Sequence, residues 1–112
     1  MAITQETTYC IVFITCPESD ARSLARTLVE EHLAACCNII PGVTSIYRWK
    51  GKIEEDAEAL LFVKTRADMF ETLEKRVREI HSYEVPEIVQ VPVTAGSQIY
   101  LEWIGRMTEE QR

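Results

Sequence analysis

Apolar side chains along this chain switch between a spacing of two and a spacing of three to four, and the switches divide it into elements. Tyr9 to Thr15 (YCIVFIT) is a short apolar run rich in β-branched and aromatic residues, which predicts a central strand buried on both faces. Ala21, Leu24, Ala25, Leu28 and Leu33 then fall along one face of a helix. Pro17 suits the start of that helix, and Glu18 and Asp20 suit the positive end of its dipole. His32 reads as an ordinary residue on its surface.

From Leu33 to Lys52 (LAACCNIIPGVTSIYRWKGK) a helix ends and a long strand leads into a tight turn. Val43, Ser45, Tyr47 and Trp49 share one face of the strand, and Thr44, Ile46, Arg48 and Lys50 the other. Pro41 cannot donate to a ladder, so Pro41-Gly42 predicts a bend or bulge at a sheet edge. Lys50-Gly51 turns the chain, and Ile53 to Lys64 returns as the second arm of a hairpin that reaches past the domain body. Aromatic residues near the tip of such a hairpin call for a partner.

Met69, Phe70, Leu73, Val77 and Ile80 recur at helical spacing, supported by Glu71/Lys75 and Glu74/Arg78 at i,i+4. Thr65 and Asp68 have the spacing of a capping box for this second helix. His81 to Glu87 (HSYEVPE) is a loop, Ile88 to Val93 a further strand, and Ser97 caps a last short helix with Ile99, Tyr100, Trp103 and Ile104 as its apolar stripe.

The order is β-α-β-β-α-β plus a C-terminal helix, the split, ferredoxin-like arrangement of the α+β class. Two helices cover one face of such a sheet. Strands this apolar do not suit water on the other face, which predicts homo-oligomerisation.

At 112 residues the chain, 1–112, fits one domain. Its formal net charge of −6, with no basic cluster, speaks against nucleic acid. No apolar run reaches the roughly 18 residues a membrane span needs, and MAITQETT lacks the basic start and apolar stretch of a secretory signal, so the expected compartment is the cytoplasm. Cys10, Cys16, Cys36 and Cys37 show no CxxC spacing and read as reduced thiols. No Ser/His/Asp, paired-carboxylate or Cys/His constellation is recognisable, which predicts a protein that is not an enzyme.

The chain resembles the CutA family, the divalent-cation tolerance proteins. The resemblance is carried by residues 33–53 (LAACCNIIPGVTSIYRWKGKI), by Thr15-Cys16-Pro17, by HSYEVPE at 81–87 and by VTAGSQIYLEWI at 93–104. It implies a trimer held by the long strands of neighbouring subunits, with clefts between subunits and a link to copper, Cu(I) or Cu(II), and to other divalent or heavy-metal ions. Carried over residue by residue, it points to Cys16, His81 and Glu87 as metal ligands, and to a binding protein acting as a homotrimer.

Thiolate and imidazole are the donors that copper and zinc prefer. Cys10, Cys36 and Cys37 nonetheless read as small core residues. Cys16 precedes a helix N-terminus, where the dipole favours a thiolate, yet it also reads as a packing residue. His81 reads equally as a solvated helix-end residue, and Tyr83, Pro86 and Glu87 as loop support in which Tyr83 and Glu87 bond each other or a neighbouring subunit. An alternative function is a regulatory trimer resembling the PII proteins, with a small anionic metabolite in the intersubunit clefts. No glycine-rich phosphate loop accompanies that alternative.

Overall fold

A computed structural model describes residues 8–109; the first seven residues of the N-terminal segment read above, and residues 110–112, lie outside them. Four strands and three helices follow in the order β1 (Tyr9–Cys16), α1 (Glu18–Glu30), β2 (Cys36–Trp49), β3 (Lys52–Arg66), α2 (Phe70–Ile80), β4 (Ile88–Pro92) and α3 (Gln98–Met107). The sheet runs β2-β3-β1-β4 with every neighbouring pair antiparallel. Each β-α-β unit is therefore split by a strand of the other unit, as the element order predicts. Among the described residues, no helix is long and apolar enough to cross a membrane.

Strand β1 is central, but only one of its faces is fully buried. Cys10, Val12, Ile14 and Cys16 point into the core, where they pair across with Thr65, Val63, Leu61 and Ala59 of β3. Ala21, Leu24, Ala25 and Leu28 of α1 and Leu73 and Val77 of α2 complete this core. A leucine buried like Leu28 or Leu61 contributes about 1.5–3 kcal/mol relative to an exposed one. The opposite face carries Ile11, Phe13, Leu60 and Phe62, only half-buried, with the Phe13 and Phe62 rings edge to face at 4.9 Å. Burial on both faces, expected from the apolar run, is incomplete on that side, which faces away from α1 and α2.

Local chemistry shapes the connections. Helix α1 ends at Glu30, so neither His32 nor Leu33 is helical. His32 takes a positive φ of 60°, its amide bonds Val29 O, and the Leu33 amide bonds Leu28 O, a Schellman exit that folds Leu33 back onto the core. The His32 ring reaches across to the Met107 carbonyl at 3.0 Å from Nδ1. Thr65 caps no helix either. It lies in β3, and its buried hydroxyl donates to Leu33 O at 2.8 Å, while a 3₁₀ turn over Ala67–Met69 leads into α2.

Hairpin β2-β3 has a two-residue turn in which Lys50 and Gly51 both have positive φ, 51° and 80°, matching the twist of the strands. The expected bulge lies between Ile40 and Val43, where Gly42 takes φ 72° and its amide donates to Glu18 Oε2 at 2.8 Å. The hairpin lengthens the molecule: the radius of gyration is 15.2 Å, against roughly 13 Å for a compact domain of this length. Ile46 and Ile53 are 67% and 61% exposed along it. Helix α3 buries Ile104 but leaves Ile99 80% exposed, so the stripe expected there is narrower than its spacing implies. Of the two ion pairs expected on α2, Glu74–Arg78 forms at 3.2 Å, and Glu71–Lys75 is not among those made by the described residues.

Candidate functional site

Helix α2 stops at His81, which leaves in extended conformation (φ −78°, ψ 143°) and turns its ring toward the end of β1. Nε2 lies 2.7 Å from the Thr15 carbonyl oxygen, and the Tyr83 amide donates to Nδ1 at 3.0 Å. An amide N–H can only donate, so Nδ1 is the bare nitrogen and Nε2 carries the proton given to Thr15 O. Tyr83 in turn donates its hydroxyl to Glu58 Oε2 at 2.6 Å, and its ring sits 4.8 Å from that of His81. Loop 81–87 is thereby tied to β1 through His81 and to β3 through Tyr83. The expected bond between Tyr83 and Glu87 is replaced by this one to Glu58.

Two cavities flank the tie. A smaller one of about 260 Å³ has Cys16, Asp20, Ile80, His81 and Ser82 in its walls. The fold thus brings Cys16 and His81 together. Glu87 belongs instead to a cleft of about 610 Å³ between the hairpin and the 81–87 loop, walled by Tyr47, Trp49, Glu58, Tyr83, Glu84 and Glu87 among others. Its strand residues Thr15, Ser45, Tyr47, Trp49 and Glu58 lie on the sheet face opposite α1 and α2.

Electrostatics differ between the two. Burial pushes the Cys16 thiol up to about 11, and the Asp20 and Glu58 carboxylates add to it, so the residue is a thiol at neutral pH. With both His81 nitrogens engaged and Glu87 in the other cavity, the donors of one chain form no ready coordination sphere; no group of three His, Cys, Asp or Glu able to hold a metal ion occurs among the described residues. In the large cleft Tyr47 hydrogen-bonds Asp56, which pushes its phenol up to about 12. Burial and the Glu58 bond push Tyr83 in the same direction.

Glu58 escaped the sequence reading. It is 4% exposed, although it is a carboxylate on a strand. The available signal was its parity: Glu58 shares a face with Leu60 and Phe62 just where the apolar run of β3 begins.

Comparison with known proteins agrees along most of the chain. The family described as "CutA1 divalent ion tolerance protein" matches residues 10–107. The divalent-cation tolerance protein CutA of Thermus thermophilus is 52% identical over 99 residues, spanning 88% of this chain and 96% of that protein. Protein CutA of Mus musculus is 50% identical over 98 residues, 87% of this chain; the chain spans only 55% of that relative's length. The crystal structure of CutA1 from Oryza sativa superposes with a TM-score of 0.89 at 40% identity, covering 94% of this chain and 97% of that one. With matching family, length of match and fold, this chain belongs to the CutA1 divalent ion tolerance family.

Proposed function

We propose that the protein serves divalent-cation tolerance by binding rather than catalysis, as a homotrimer that takes up copper or another heavy-metal ion at Cys16 and His81, with Glu87, which lies in the other cavity, left out of the donor set. One observation carries the reading: two soft donors 65 positions apart in sequence share the wall of one small cavity beside the end of β1. An ion entering there displaces the thiol proton and takes a His81 nitrogen from its present partner, so uptake is opposed by acid and needs donors beyond these two. The exposed apolar residues of the hairpin, Ile46 and Ile53 with Tyr47 and Trp49, support self-association. Calorimetry with Cu(I), Cu(II) and Zn(II) tests the ion site. Binding that is lost in both Cys16→Ser and His81→Ala is expected; binding unchanged in both, or absent from the parent protein, refutes it.

The large cleft favours a second reading, a regulatory trimer that binds a small molecule. Its volume lies in the range of small-molecule sites, and it combines apolar and aromatic walls with a few polar groups. Its charge runs against the anionic metabolite expected from the sequence, since Glu58, Glu84 and Glu87 all line it.

A further inference from the structure

We propose that Glu58 of one copy is completed by Arg48 of a second, so that the outer face of one hairpin packs against the cleft of its neighbour. The proposal rests on the homotrimer reading and adds the residues that join one copy to the next.

Register divides the hairpin into two unlike faces. Val43, Ser45, Tyr47 and Trp49 stand opposite Glu58, Asp56, Glu54 and Lys52, and directly opposed residues share a face. The other face holds Arg48 opposite Ile53 and Ile46 opposite Glu55, with both isoleucines largely exposed. Lys52 and Glu55 apart, one face offers aromatic rings and carboxylates, and the other apolar surface and a guanidinium.

Each face lacks what the other carries. Glu58 is 4% exposed, its single hydrogen bond among the described residues comes from the neutral Tyr83 hydroxyl, and no lysine, arginine or histidine is among the described residues lining its cleft. A carboxylate withdrawn from water without a cationic partner is costly, and one neutral donor offsets only part of that cost. Arg48 is exposed and enters none of the ion pairs formed by the described residues. Within one chain the two cannot meet: they lie on opposite faces, and five residues of strand separate Arg48 from Val43, which stands across from Glu58, a span of about 17 Å. The pair forms only between copies.

A guanidinium suits this site, since its plane stacks on rings such as those of Tyr47 and Trp49 and its fork gives two donors to a carboxylate. Both faces belong to every chain, so the contact runs head to tail. Each copy gives one Arg48 and receives another, a pattern that closes into a ring of copies.

Subunit exchange between isotope-labelled and unlabelled protein, followed by native mass spectrometry at a temperature where the parent exchanges measurably, tests the proposal in the intact chain. Arg48→Gln and Glu58→Gln, the latter keeping an acceptor for Tyr83, should each speed exchange about tenfold or more, and the double variant should be no faster than the quicker single one. Arg26→Gln on α1 makes the same change of charge and should exchange at the parent rate. Two single effects that multiply in the double variant, or Arg48→Gln exchanging at the parent rate, overturn the pairing and leave the homotrimer in place. Arg48 is exposed in the single chain, so its variant decides the matter even if Glu58→Gln does not fold. Equal acceleration in Arg26→Gln assigns the effect to net charge and overturns the pairing as well. A parent protein with the mass of one chain at micromolar concentration removes the homotrimer reading itself.

Discussion

His81 Nε2 and the carbonyl oxygen of Thr15 meet at 2.7 Å across 66 residues of sequence, joining the end of α2 to the end of β1. The same ring accepts the Tyr83 amide, so one imidazole fixes both the start of the 81–87 loop and the tyrosine that reaches Glu58. His81 therefore has a structural role that exists without any ion.

Replacing His81 with alanine leaves the Thr15 carbonyl and the Tyr83 amide short of a partner. The expected cost is about 1–3 kcal/mol, a fall in Tm of roughly 4–8 °C for each kcal/mol lost. Thermal unfolding in the presence of a chelator checks this, because the loss persists there only if the hydrogen bonds, rather than a bound ion, are responsible.

Thr65→Val keeps the shape of the side chain but removes the donor to Leu33 O. Since Thr65 is fully buried, the carbonyl at the exit of α1 is left unsatisfied, and about 1–3 kcal/mol of stability should be lost. Urea unfolding with an unchanged m-value and a lower midpoint is the expected result. A Thr65→Ser variant, which retains the hydroxyl, should lose less through this bond and separate it from packing.

Buried thiols give the protein an alkaline limit. Burial pushes Cys10 and Cys16 up to about 11, and Cys37 up to about 12, from the ordinary 9.0. The folded state thus holds the neutral thiols while the unfolded chain releases their protons. Stability from this source is complete below about pH 9 and is lost as pH rises toward 11 and 12. Melting temperatures measured from pH 8 to pH 11 should fall above pH 9, with a shallower slope in Cys16→Ala.

Trp49→Ala tests the hairpin as an assembly surface. If the long strands join neighbouring subunits, removing this aromatic near the tip should weaken association by about 2 kcal/mol or more and lower the melting temperature. Light scattering across a dilution series, read beside the thermal scan, checks both effects; an unchanged mass and Tm would place the assembly contact elsewhere.

Pattern alone determined a good deal here. The alternation in β1 and along the hairpin, the spacing of Leu24, Leu28, Leu73 and Val77, the Pro41-Gly42 bulge and the Lys50-Gly51 turn are local properties of two to seven residues. Backbone sterics and side-chain direction fix them before any tertiary contact forms. The element order then restricted the sheet to few arrangements, and β2-β3-β1-β4 is the expected one.

What the tertiary structure decided are meetings between residues far apart in sequence. Thr65 has the spacing of a cap, yet strand β3 extends through it and sets its hydroxyl on Leu33 O. His32 lies in the helical pattern, but the exit of α1 places it at positive φ beside the end of α3. Cys16 and His81 share a cavity, Glu87 faces another, and Glu58 is buried under Tyr83, because register and helix packing bring those positions together. A sequence shows which side of its own strand or helix a residue occupies, and only the packed sheet decides what stands opposite.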